Sequence, residues 1–570
     1  MDNGKVADVL EEIASLLEIQ GENPFKSRAY LNAARTLRGL EDKVDDLVRE
    51  GRLAGLKGIG EALTEKITTL VRTGALPYHQ ELLAAVPAPV LELLKIPGLG
   101  PRKARALVEG LGITSLGELE YACHENRLAG LEGFGPKSQE RILQGIERLK
   151  RYASRFLLGD AWPAAERLAA TLAALPGVSR VEAAGAVRRR EETVEAIVLV
   201  AAGPDPRVAL AACAASAALA RVGEAGATRL SATLDEGIPL TLLAVPEKAF
   251  GCALLHETGS AAHLAGLRER AQRRGLTLEE SALRRGADAL PAATEEAIYQ
   301  ALEMAYVPPE LREGLGEIEA AAAGTLPVLV GPGDVRGILH VHSTWSDGRL
   351  PIETIVKRCA ELGYEYVGLT DHSQSARYAR GLTPESLKQQ QMDIDEAQRR
   401  HPEIRVLKGS EVDILPDGRL DYPDEVLATL DFVVASVHSS FGLPEEEQTR
   451  RIIRALENPR TTILGHPTGR LLLAREPYAV RMEEVLRAAA RLGVHVELNA
   501  NPHRLDLDTA GARLARSLGV RLAIDPDAHD EAGLTDVRFG LGVARRAGLT
   551  ADRILNTVPV ADLPRALARS

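Results

Sequence analysis

Short runs of apolar, largely β-branched residues alternate with longer segments of helical spacing in the C-terminal part of the chain. The apolar runs are Gly337–Leu339, Tyr366–Thr370, Val406–Lys408, Phe432–Val437, Thr462–Gly465 and Val520–Ile524. The segments with helical spacing include Ile352–Leu362, Glu447–Leu456, Met482–Leu492 and Asp508–Leu518. Strands that alternate with helices form parallel βαβ units, most simply in a barrel. In a barrel the carboxyl ends of the strands gather at one mouth, where the chemistry lies.

The N-terminal part repeats a different pattern, in which a Gly-x-Gly hairpin follows one helical stretch and opens the next. The hairpins are Leu56-Lys57-Gly58-Ile59-Gly60, Ile96-Pro97-Gly98-Leu99-Gly100 and Leu131-Glu132-Gly133-Phe134-Gly135. Glycine lets backbone N–H groups and a helix N-terminus approach a phosphate without interference from a Cβ. Such contacts hold DNA without reading its sequence, and Lys103 and Lys137 add positive charge beside them. The repeat predicts DNA binding, although ordinary helix-capping glycines also explain it.

Composition limits the classes of protein. A chain of 570 residues is too long for one hydrophobic core and indicates roughly three or four domains. No apolar run approaches the roughly 18 residues of a membrane span, and no signal peptide opens the chain. The cysteines (Cys123, Cys213, Cys252 and Cys359) form no close pair, so we expect free thiols in a reducing cytoplasm. A net charge of -11 argues against a uniformly basic nucleic-acid binder, but it allows local basic patches.

Imidazole and carboxylate side chains occur where the predicted barrel strands end. They are His340, His342, Asp347, His372, Glu411, His438, His466, Asp527 and His529. So many ionisable groups are costly to hold together unless cations compensate them, and divalent metal ions do so. Nitrogen and oxygen ligands without sulfur fit Mn, Zn or Fe, and this number of ligands suits two or three ions. Such ions activate water and hold a phosphoryl group. Any single residue of the set is also explained as a supporting or surface residue.

Five motifs carry most of these residues: HVHSTWSDG, TDHS, VASVHSS, GHP and DPDAH. They resemble the phosphoesterase domain of the polymerase-and-histidinol-phosphatase (PHP) family, over about residues 334–570. The resemblance implies a distorted (β/α)7 barrel with a trinuclear metal centre that hydrolyses a phosphate ester. All nine positions match the family's metal ligands by residue type. Within them, the resemblance implies catalytic roles for His340, His342, Glu411, His438 and Asp527.

The segment Val6–Leu76, with its motif Asn23-Pro24-Phe25-Lys26-Ser27-Arg28-Ala29-Tyr30, resembles the eight-kilodalton domain of family X DNA polymerases. In active members a lysine eight residues beyond the first hairpin glycine forms a Schiff base with an abasic sugar, and Lys66 holds that place. A lysine can do this when burial or basic neighbours lower its pKa. Glu61 and Glu65 lie close in sequence, so a lyase residue and an ordinary helix-surface lysine both remain open.

The middle of the chain resembles the palm and thumb of the same family. Gly185-Ala186-Val187-Arg188-Arg189 resembles the turn that cradles a triphosphate, and His256-Glu257-Thr258-Gly259 resembles the segment that lines the nucleotide pocket. We expect this fold to be retained. Arg188, Arg189 and Arg190, with Arg268, Arg270, Arg273 and Arg274, offer DNA phosphate contacts, although a solvated charged face explains them equally well.

The catalytic acids of that palm are missing. The family places two aspartates on the strand after the turn, where this chain has Ala196 and Val198, and a third where it has Thr241. The phosphate-binding serine is replaced by Ala186. Glu195 is shifted by one residue and therefore points to the opposite face of the strand. Nucleotidyl transfer needs carboxylates that hold Mg²⁺. We predict a degenerate nucleotide site that holds no Mg²⁺ and does not polymerise, formed by Gly185, Ala186, Arg189, Ala196, Val198, Thr241 and Gly259.

The predicted fold class is therefore a multidomain α/β protein. The predicted divisions are an eight-kilodalton-like helical domain at 1–80, a fingers-like helix-hairpin-helix domain at 81–150, an α+β nucleotidyltransferase-like palm and thumb at 151–322, a linker at 323–335, and the PHP barrel at 336–570. The predicted function is DNA repair by a metal-dependent 3′–5′ exonuclease that acts on gapped, nicked or 3′-ended DNA. Removal of 3′-phosphates and cleavage at abasic sites are variants of this function.

Three other functions compete with this prediction. They are a gap-filling DNA polymerase in base excision repair, a non-catalytic DNA-end adaptor with structural metals, and a small-molecule phosphatase. The full ligand set argues against an adaptor, because structural metal sites are usually closed and small. A small-molecule phosphatase would leave the DNA-binding segments without a purpose. We expect neither a membrane nor an obligate protein partner.

Overall fold

The computed structural model describes residues 3–40, 42–56, 58–124, 127–131, 133–219 and 221–569. They fall into two units, Met1–Ser154 and Arg155–Ser570. None of the helices in the described ranges is long and apolar enough to cross a membrane. All four cysteines are buried free thiols.

The N-terminal unit is built of helices around two apolar clusters. The helices are α1 (Asn3–Ile19), α2 (Pro24–Arg38), α3 (Val44–Arg49), α4 (Glu61–Thr73), α5 (Pro77–Ala85), α6 (Ala88–Leu93), α7 (Pro101–Leu111), α8 (Leu116–His124) and α9 (Pro136–Ala153). One cluster joins Leu10 of α1 to Leu37 of α2, and the other joins Leu107 of α7 to Ile146 of α9. Helix α2 begins at Pro24 because proline suits the first helical position and the Asn23 side chain accepts the N–H of Phe25 at 2.9 Å.

The palm and thumb open the second unit. Their strands are β1 (Phe156–Leu157), β2 (Arg180–Ala184), β3 (Thr193–Val194), β4 (Ile197–Gly203), β5 (Arg221–Ala225), β6 (Arg229–Thr233), β7 (Pro239–Pro246), β8 (Thr277–Leu278), β9 (Leu283–Arg285) and β10 (Asp288–Leu290). Their helices are α10 (Leu158–Ala173), α11 (Gly185–Arg188), α12 (Pro206–Ala214), α13 (Phe250–Thr258), α14 (Ala261–Arg273), α15 (Glu295–Ala301) and α16 (Glu317–Ala323). The palm sheet has the order β2-β4-β7-β6-β5, in which β4 and β7 are parallel.

The C-terminal part of this unit consists of alternating strands and helices. The strands are β11 (Gly337–Ile338), β12 (Tyr366–Leu369), β13 (Arg405–Lys408), β14 (Glu411–Asp413), β15 (Val434–Ser436), β16 (Ile463–Leu464), β17 (His495–Asn499) and β18 (Leu522–Asp525). The helices are α17 (Ile352–Glu361), α18 (Pro384–Arg400), α19 (Asp424–Leu427), α20 (Glu445–Glu457), α21 (Met482–Leu492), α22 (Thr509–Ser517), α23 (Val537–Arg546) and α24 (Leu563–Leu567).

These strands close into a parallel barrel. Strands β11, β12 and β13 pair in parallel, as do β14 to β18 in sequence order. A parallel bridge from His372 to Glu411 links the two sheets, and a second bridge from Val341 to Ala528 joins the first strand to the last. Because β13 and β14 are separated only by Gly409 and Ser410 and act as one bent strand, the closed sheet has the predicted (β/α)7 form. The predicted fold class is confirmed.

One barrel strand, β17, is absent from the sequence prediction. Its residues alternate between apolar and polar types, His495-Val496-Glu497-Leu498-Asn499, which is typical of a strand with one solvated face. Both Glu497 and Asn499 are fully buried in the structure. Buried polar groups need hydrogen-bond partners, and the partners of these two lie in the site described below.

The palm and thumb contact the barrel through ion pairs and one aromatic contact. Glu192 pairs with Arg470 of the barrel at 2.9 Å. The Trp162 ring of α10 meets the Phe539 ring of α23 edge-on, with centroids 5.5 Å apart. The predicted linker also packs against the barrel: Val330 is buried, and its N–H donates to the Leu549 carbonyl at 3.0 Å.

Candidate metal centre and DNA-binding elements

The ends of the barrel strands bring the nine predicted side chains to one place. His340 and His342 follow β11, Asp347 lies in the next loop, His372 follows β12, Glu411 begins β14, His438 follows β15, His466 follows β16, and Asp527 and His529 follow β18. Four overlapping groups cover all nine, and within each group the ligand-type atoms lie within 4.8 Å of one another. Most of the nine are buried, whereas Asp347 and His529 are half-buried and border solvent.

The loop between His342 and Asp347 has a defined conformation. A Cβ on Gly348 would lie 2.2 Å from the carbonyl oxygen of His342, so this close approach requires glycine. The N–H groups of Ser343 and Ser346 donate to the Asp371 carboxylate at 2.8 and 3.1 Å. The buried Asp371 therefore holds this loop against the end of the neighbouring strand β12.

The Glu411 carboxylate lies at the middle of the cluster and faces five imidazoles. Its oxygen atoms are 3.4 Å from His340 Nε2, 3.6 Å from His342 Nε2, 3.0 Å from His372 Nδ1, 3.2 Å from His438 Nε2 and 2.8 Å from His466 Nε2. Asp527 is close to the first two of these imidazoles as well: its Oδ1 is 3.6 Å from His340 Nε2 and 3.1 Å from His342 Nε2. Carboxylates placed between several imidazoles suit ligands that are shared by neighbouring cations.

Electrostatics favour the ionised carboxylates. Burial raises the pKa of Glu411, but the imidazoles of His438, His372 and His340 outweigh it and hold the pKa well below its ordinary value. Burial lowers the pKa of His529, but Asp347 and Asp527 outweigh it and raise the pKa to about 9. The cluster thus keeps its acids ionised and attracts positive charge, whether protons or metal ions.

Several buried imidazole nitrogens of the cluster have no hydrogen-bond partner among the described residues. They are His340 Nε2, both ring nitrogens of His342, and His466 Nδ1. An unsatisfied buried nitrogen is costly, and coordination to a metal ion would satisfy it. The donor set of imidazoles and carboxylates without thiolates matches Mn, Zn or Fe. The residues present therefore fit a cluster of divalent ions.

Four polar residues that sequence reasoning missed support or border the cluster. Asp413 accepts from His438 Nδ1 at 2.7 Å, and Glu497 accepts from His340 Nδ1 at 2.6 Å. The Asn499 amide donates to Asp527 Oδ2 at 3.2 Å. The guanidinium of the half-buried Arg504 lies 3.4 Å from the same carboxylate oxygen. None of these four stands at the end of an apolar run, which was the signal used to find the nine.

The three hairpins of the N-terminal unit have one common geometry. The first glycine of each is left-handed, with φ of +89° at Gly58, +82° at Gly98 and +83° at Gly133. The apolar residue that follows donates its N–H to the carbonyl three residues earlier, at 3.0 to 3.1 Å. The second glycines (Gly60, Gly100 and Gly135) immediately precede α4, α7 and α9. Lys57 and Glu132 lie outside the described residues.

The hairpins therefore place the N–H groups of glycines, which carry no Cβ, directly before the N-termini of three helices. Lys103 and Lys137 lie in the first turns of α7 and α9, and the Lys103 amine is 5.7 Å from the centroid of the Phe134 ring. This is the arrangement that the sequence predicts for phosphate contact.

Comparison with protein families assigns these regions independently. The chain matches the families described as helix-hairpin-helix domain at residues 1–76, SAM-like helix-hairpin-helix tandem at 90–148, DNA polymerase beta thumb at 253–313 and PHP domain at 339–501.

Individual relatives extend this assignment to the whole chain. "DNA polymerase/3'-5' exonuclease PolX" of Bacillus subtilis (strain 168) is 35% identical over 578 residues, which cover 100% of both chains. The chain belongs to the bacterial PolX family. A "probable phosphatase" of Thermoanaerobacter sp. (strain X514) is 34% identical over 27% of this chain and 64% of its own. A "probable phosphatase" of Syntrophotalea carbinolica is 29% identical over 38% of this chain and 90% of its own.

Membership in the PolX family indicates that the protein is an enzyme, and the helix-hairpin-helix and thumb regions indicate that it binds DNA.

In the palm of this PolX chain, Val198 is the register partner of Thr241 on one side and of Ala184 on the other. Ala196 precedes β4. Glu195 is exposed and pairs with Arg155 at 3.1 Å. Among the described residues, every group of three or more side chains able to hold a metal ion lies in the barrel.

The arginines that follow the palm turn contact protein groups. Gly185 and Ala186 begin α11, and Gly259 follows α13. Arg188 donates to both oxygens of Glu295 at 2.9 and 2.8 Å, Arg189 pairs with Glu313 at 3.3 Å, and the Arg190 guanidinium lies 3.3 Å from the centroid of the Trp162 ring. Glu313 also pairs with Arg546 of the barrel at 3.0 Å. This segment therefore links the palm to the thumb and to the barrel.

Lys66 lies beside a pair of tyrosines in the N-terminal unit. Its amine is 4.9 Å from the centroid of the Tyr78 ring, and the amine of Lys26 is 5.6 Å from the same centroid. Tyr30 stacks on Tyr78 with centroids 6.4 Å apart. The two amines therefore border the same aromatic ring, and the lyase role of Lys66 stays a prediction.

Proposed function

We propose that the barrel of this PolX protein is a metal-dependent phosphoesterase that shortens DNA from its 3′ end during repair. In this proposal the nine clustered side chains hold two or three divalent ions of Mn, Zn or Fe. The observation that carries it is the convergence of all nine on one site, in which several buried imidazole nitrogens have no hydrogen-bond partner among the described residues. The B. subtilis relative is named as both a polymerase and a 3′–5′ exonuclease.

When bound, such ions supply an activated water and neutralise charge on the phosphate. The residues of the chain perform the remaining tasks. Glu411 and Asp527, which both lie close to the rings of His340 and His342, would supply negative charge that offsets the charge of the cations. Arg504, half-buried beside Asp527, is placed to bind a phosphate oxygen with its guanidinium. The half-buried Asp347 and His529 mark the side of the cluster from which a DNA end would enter.

We further propose that the palm does not polymerise. Val198 and Thr241 face each other on β4 and β7, where the resemblance to family X requires carboxylates. Glu195 does not replace them, because it is exposed and paired with Arg155. In the same proposal the domains divide as the sequence predicts, so that hairpins, palm and thumb hold the DNA while the barrel cuts it. The proposed substrate of this activity is DNA in gapped, nicked or 3′-ended form.

The test restores metal ions to metal-free protein and compares the wild type with a variant that lacks one of the nine side chains. Protein stripped with a chelator receives Mn²⁺, Zn²⁺ or Fe²⁺ and a primer–template with a labelled 3′ nucleotide. We expect label release by the wild type and loss of release in His340→Ala. The matched control is His401→Ala, which removes a histidine of the same barrel that contacts Glu353 and Glu403 instead. Equal release by His340→Ala and the wild type would refute the proposal. Removal of a terminal phosphate without nucleotide release would favour a phosphatase.

The hairpins provide a separate prediction about DNA binding. Replacement of both Lys103 and Lys137 by alanine should weaken binding equally for all DNA sequences, because phosphate contacts carry no sequence information. Each lost contact should reduce the slope of log affinity against log salt by about 0.9 on duplex DNA. A salt titration by fluorescence anisotropy measures this slope, with Lys43→Ala as a single-charge control outside the hairpins. A slope that stays the same in the double variant contradicts phosphate contact by these lysines.

A further inference from the structure

Glu497 lies behind the metal cluster on β17 and contacts ligands that come from two other strands. It is fully buried. Its Oε1 accepts from His340 Nδ1 at 2.6 Å, and its Oε2 accepts the backbone N–H of His466 at 2.6 Å. The Asn499 amide donates to Oε2 at 3.2 Å and also donates to Asp527. Glu497 is thus connected to three of the nine residues: to the ring of His340, to the backbone of His466 and, through Asn499, to Asp527.

The chemistry of these contacts defines the state of His340. An ionised carboxylate only accepts hydrogen bonds, so Nδ1 of His340 must carry a proton, and in a neutral ring, the form that binds a metal, this is the only ring proton. The lone pair is then on Nε2, which lies 3.4 Å from Glu411 and 3.6 Å from Asp527, inside the cluster. A histidine that ligates a metal through one nitrogen commonly donates the other N–H to a carboxylate, which orients the ring and increases its basicity.

We infer that Glu497 is the positioning residue of this centre, on which the tautomer of His340 and the backbone position of His466 both depend. The inference rests on the proposed function, because it assigns Glu497 a role toward the metals that the nine side chains would hold. Glu497 itself does not enter the ligand set, since both of its oxygens are used by protein donors.

Asp413 provides an internal comparison. It accepts from His438 Nδ1 at 2.7 Å, and its other oxygen accepts from the Ser375 hydroxyl at 2.7 Å. Asp413 therefore orients one ligand ring, whereas Glu497 orients one ring and the backbone of a second ligand on another strand. We expect the loss of Glu497 to be the more costly of the two.

The substitution Glu497→Gln preserves shape but removes one acceptor. The amide offers a single oxygen, so either His340 Nδ1 or the His466 N–H faces an NH₂ group instead of an acceptor. We expect manganese affinity, measured by calorimetry on chelator-treated full-length protein, to fall by about 10- to 100-fold. The KM for DNA should not change, and raising the Mn²⁺ concentration should restore a large part of kcat. A merely structural residue would produce neither the affinity change nor the rescue.

The matched control is Glu365→Gln. This half-buried carboxylate of the same barrel pairs with Arg336 at 3.1 Å and accepts the Val560 N–H at 3.1 Å. It precedes β12, whereas His372 follows that strand. The control should retain wild-type manganese affinity. If Glu497→Gln does not fold, Glu497→Asp keeps the charge but cannot reach both donors, and its affinity should also fall. Wild-type manganese affinity in a folded Glu497 variant overturns the inference. Failure of the wild type itself to bind manganese or to cut DNA overturns the proposed function instead.

Discussion

Replacement of Glu411 by glutamine should strongly lower both the rate of DNA hydrolysis and the amount of metal that the barrel binds. Glu411 faces five imidazoles, and its negative charge would offset the charge of the cations that they are proposed to bind. Loss of even an outer partner of a metal ligand costs about 10- to 100-fold. Removal of a shared carboxylate should therefore lower the hydrolysis rate by on the order of 10³-fold. Bound metal measured by mass spectrometry should decrease in parallel.

The control for this change is Glu353→Gln, the same substitution on the surface helix α17, where Glu353 pairs with His401. It should retain both metal and activity. A Glu411→Gln protein that keeps its full metal content and cuts DNA at the wild-type rate would show that this carboxylate is not a shared ligand.

Replacement of Glu295 by glutamine should cause the largest loss of stability. Glu295 is buried between two arginines: Arg188 of the palm binds both of its oxygens, and the fully buried Arg312 lies 3.1 Å away through Nη2. Glutamine would leave the buried Arg312 guanidinium without a counter-charge and would leave Arg188 only the more distant Glu182, at 3.9 Å. Breaking a buried ion pair by removing one partner costs about 3–5 kcal/mol. Urea unfolding at pH 7 should therefore show a decrease of that size.

The pH dependence of the unfolding free energy should reflect the ionisation of the same carboxylate, Glu295. Burial raises the pKa of Glu295, but Arg312 and Arg188 outweigh it and lower the pKa to about 2. A lowered pKa stabilises the fold above the ordinary carboxylate value and loses that effect as pH falls toward 2. The difference in unfolding free energy between wild type and Glu295→Gln should thus narrow between about pH 4.5 and pH 2. Glu296 is an exposed neighbour on α15, and Glu296→Gln should have the same free energy of unfolding as the wild type. An equally small change in Glu295→Gln would contradict the proposed role of the buried carboxylate.

The position of the candidate metal centre could be predicted from sequence because the topology of the barrel determines it. Parallel strands in a barrel all end at the same mouth, so a histidine or acid placed where an apolar run stops is brought to its counterparts without any knowledge of contacts. His438 and His466 illustrate this, since each directly follows a short apolar run and both face Glu411. No detail of side-chain packing was required.

The supporting residues could not be predicted in this way. Glu497 and Asn499 alternate with Val496 and Leu498, a pattern that resembles a strand with one face in water. Their burial depends on hydrogen bonds to ligands that are distant in sequence: Glu497 and His340 are 157 positions apart. Asp413 is the last residue of β14, but only Val412 separates it from Glu411, so no apolar run precedes it in the sequence.

The arginines of the palm show a second limit of sequence reasoning. Arg188 and Arg189 resemble a triphosphate-binding turn, and sequence alone does not reveal their partners. In the structure they pair with Glu295 and Glu313 of the thumb. Guanidinium groups bind carboxylates as readily as phosphates, so the motif is compatible with both roles. The palm chemistry is therefore better judged from Val198 and Thr241, which occupy its acid positions.

We propose above that this PolX protein cuts DNA with its barrel and does not extend it with its palm. The most direct measurement uses a primer–template whose primer is labelled at its 5′ end, incubated with the full-length protein, Mn²⁺, Mg²⁺ and all four deoxynucleoside triphosphates. Products are resolved at single-nucleotide resolution. We predict a ladder of shortened primers that the nucleotides leave unchanged and that His340→Ala abolishes. A primer lengthened by even one nucleotide would contradict the account.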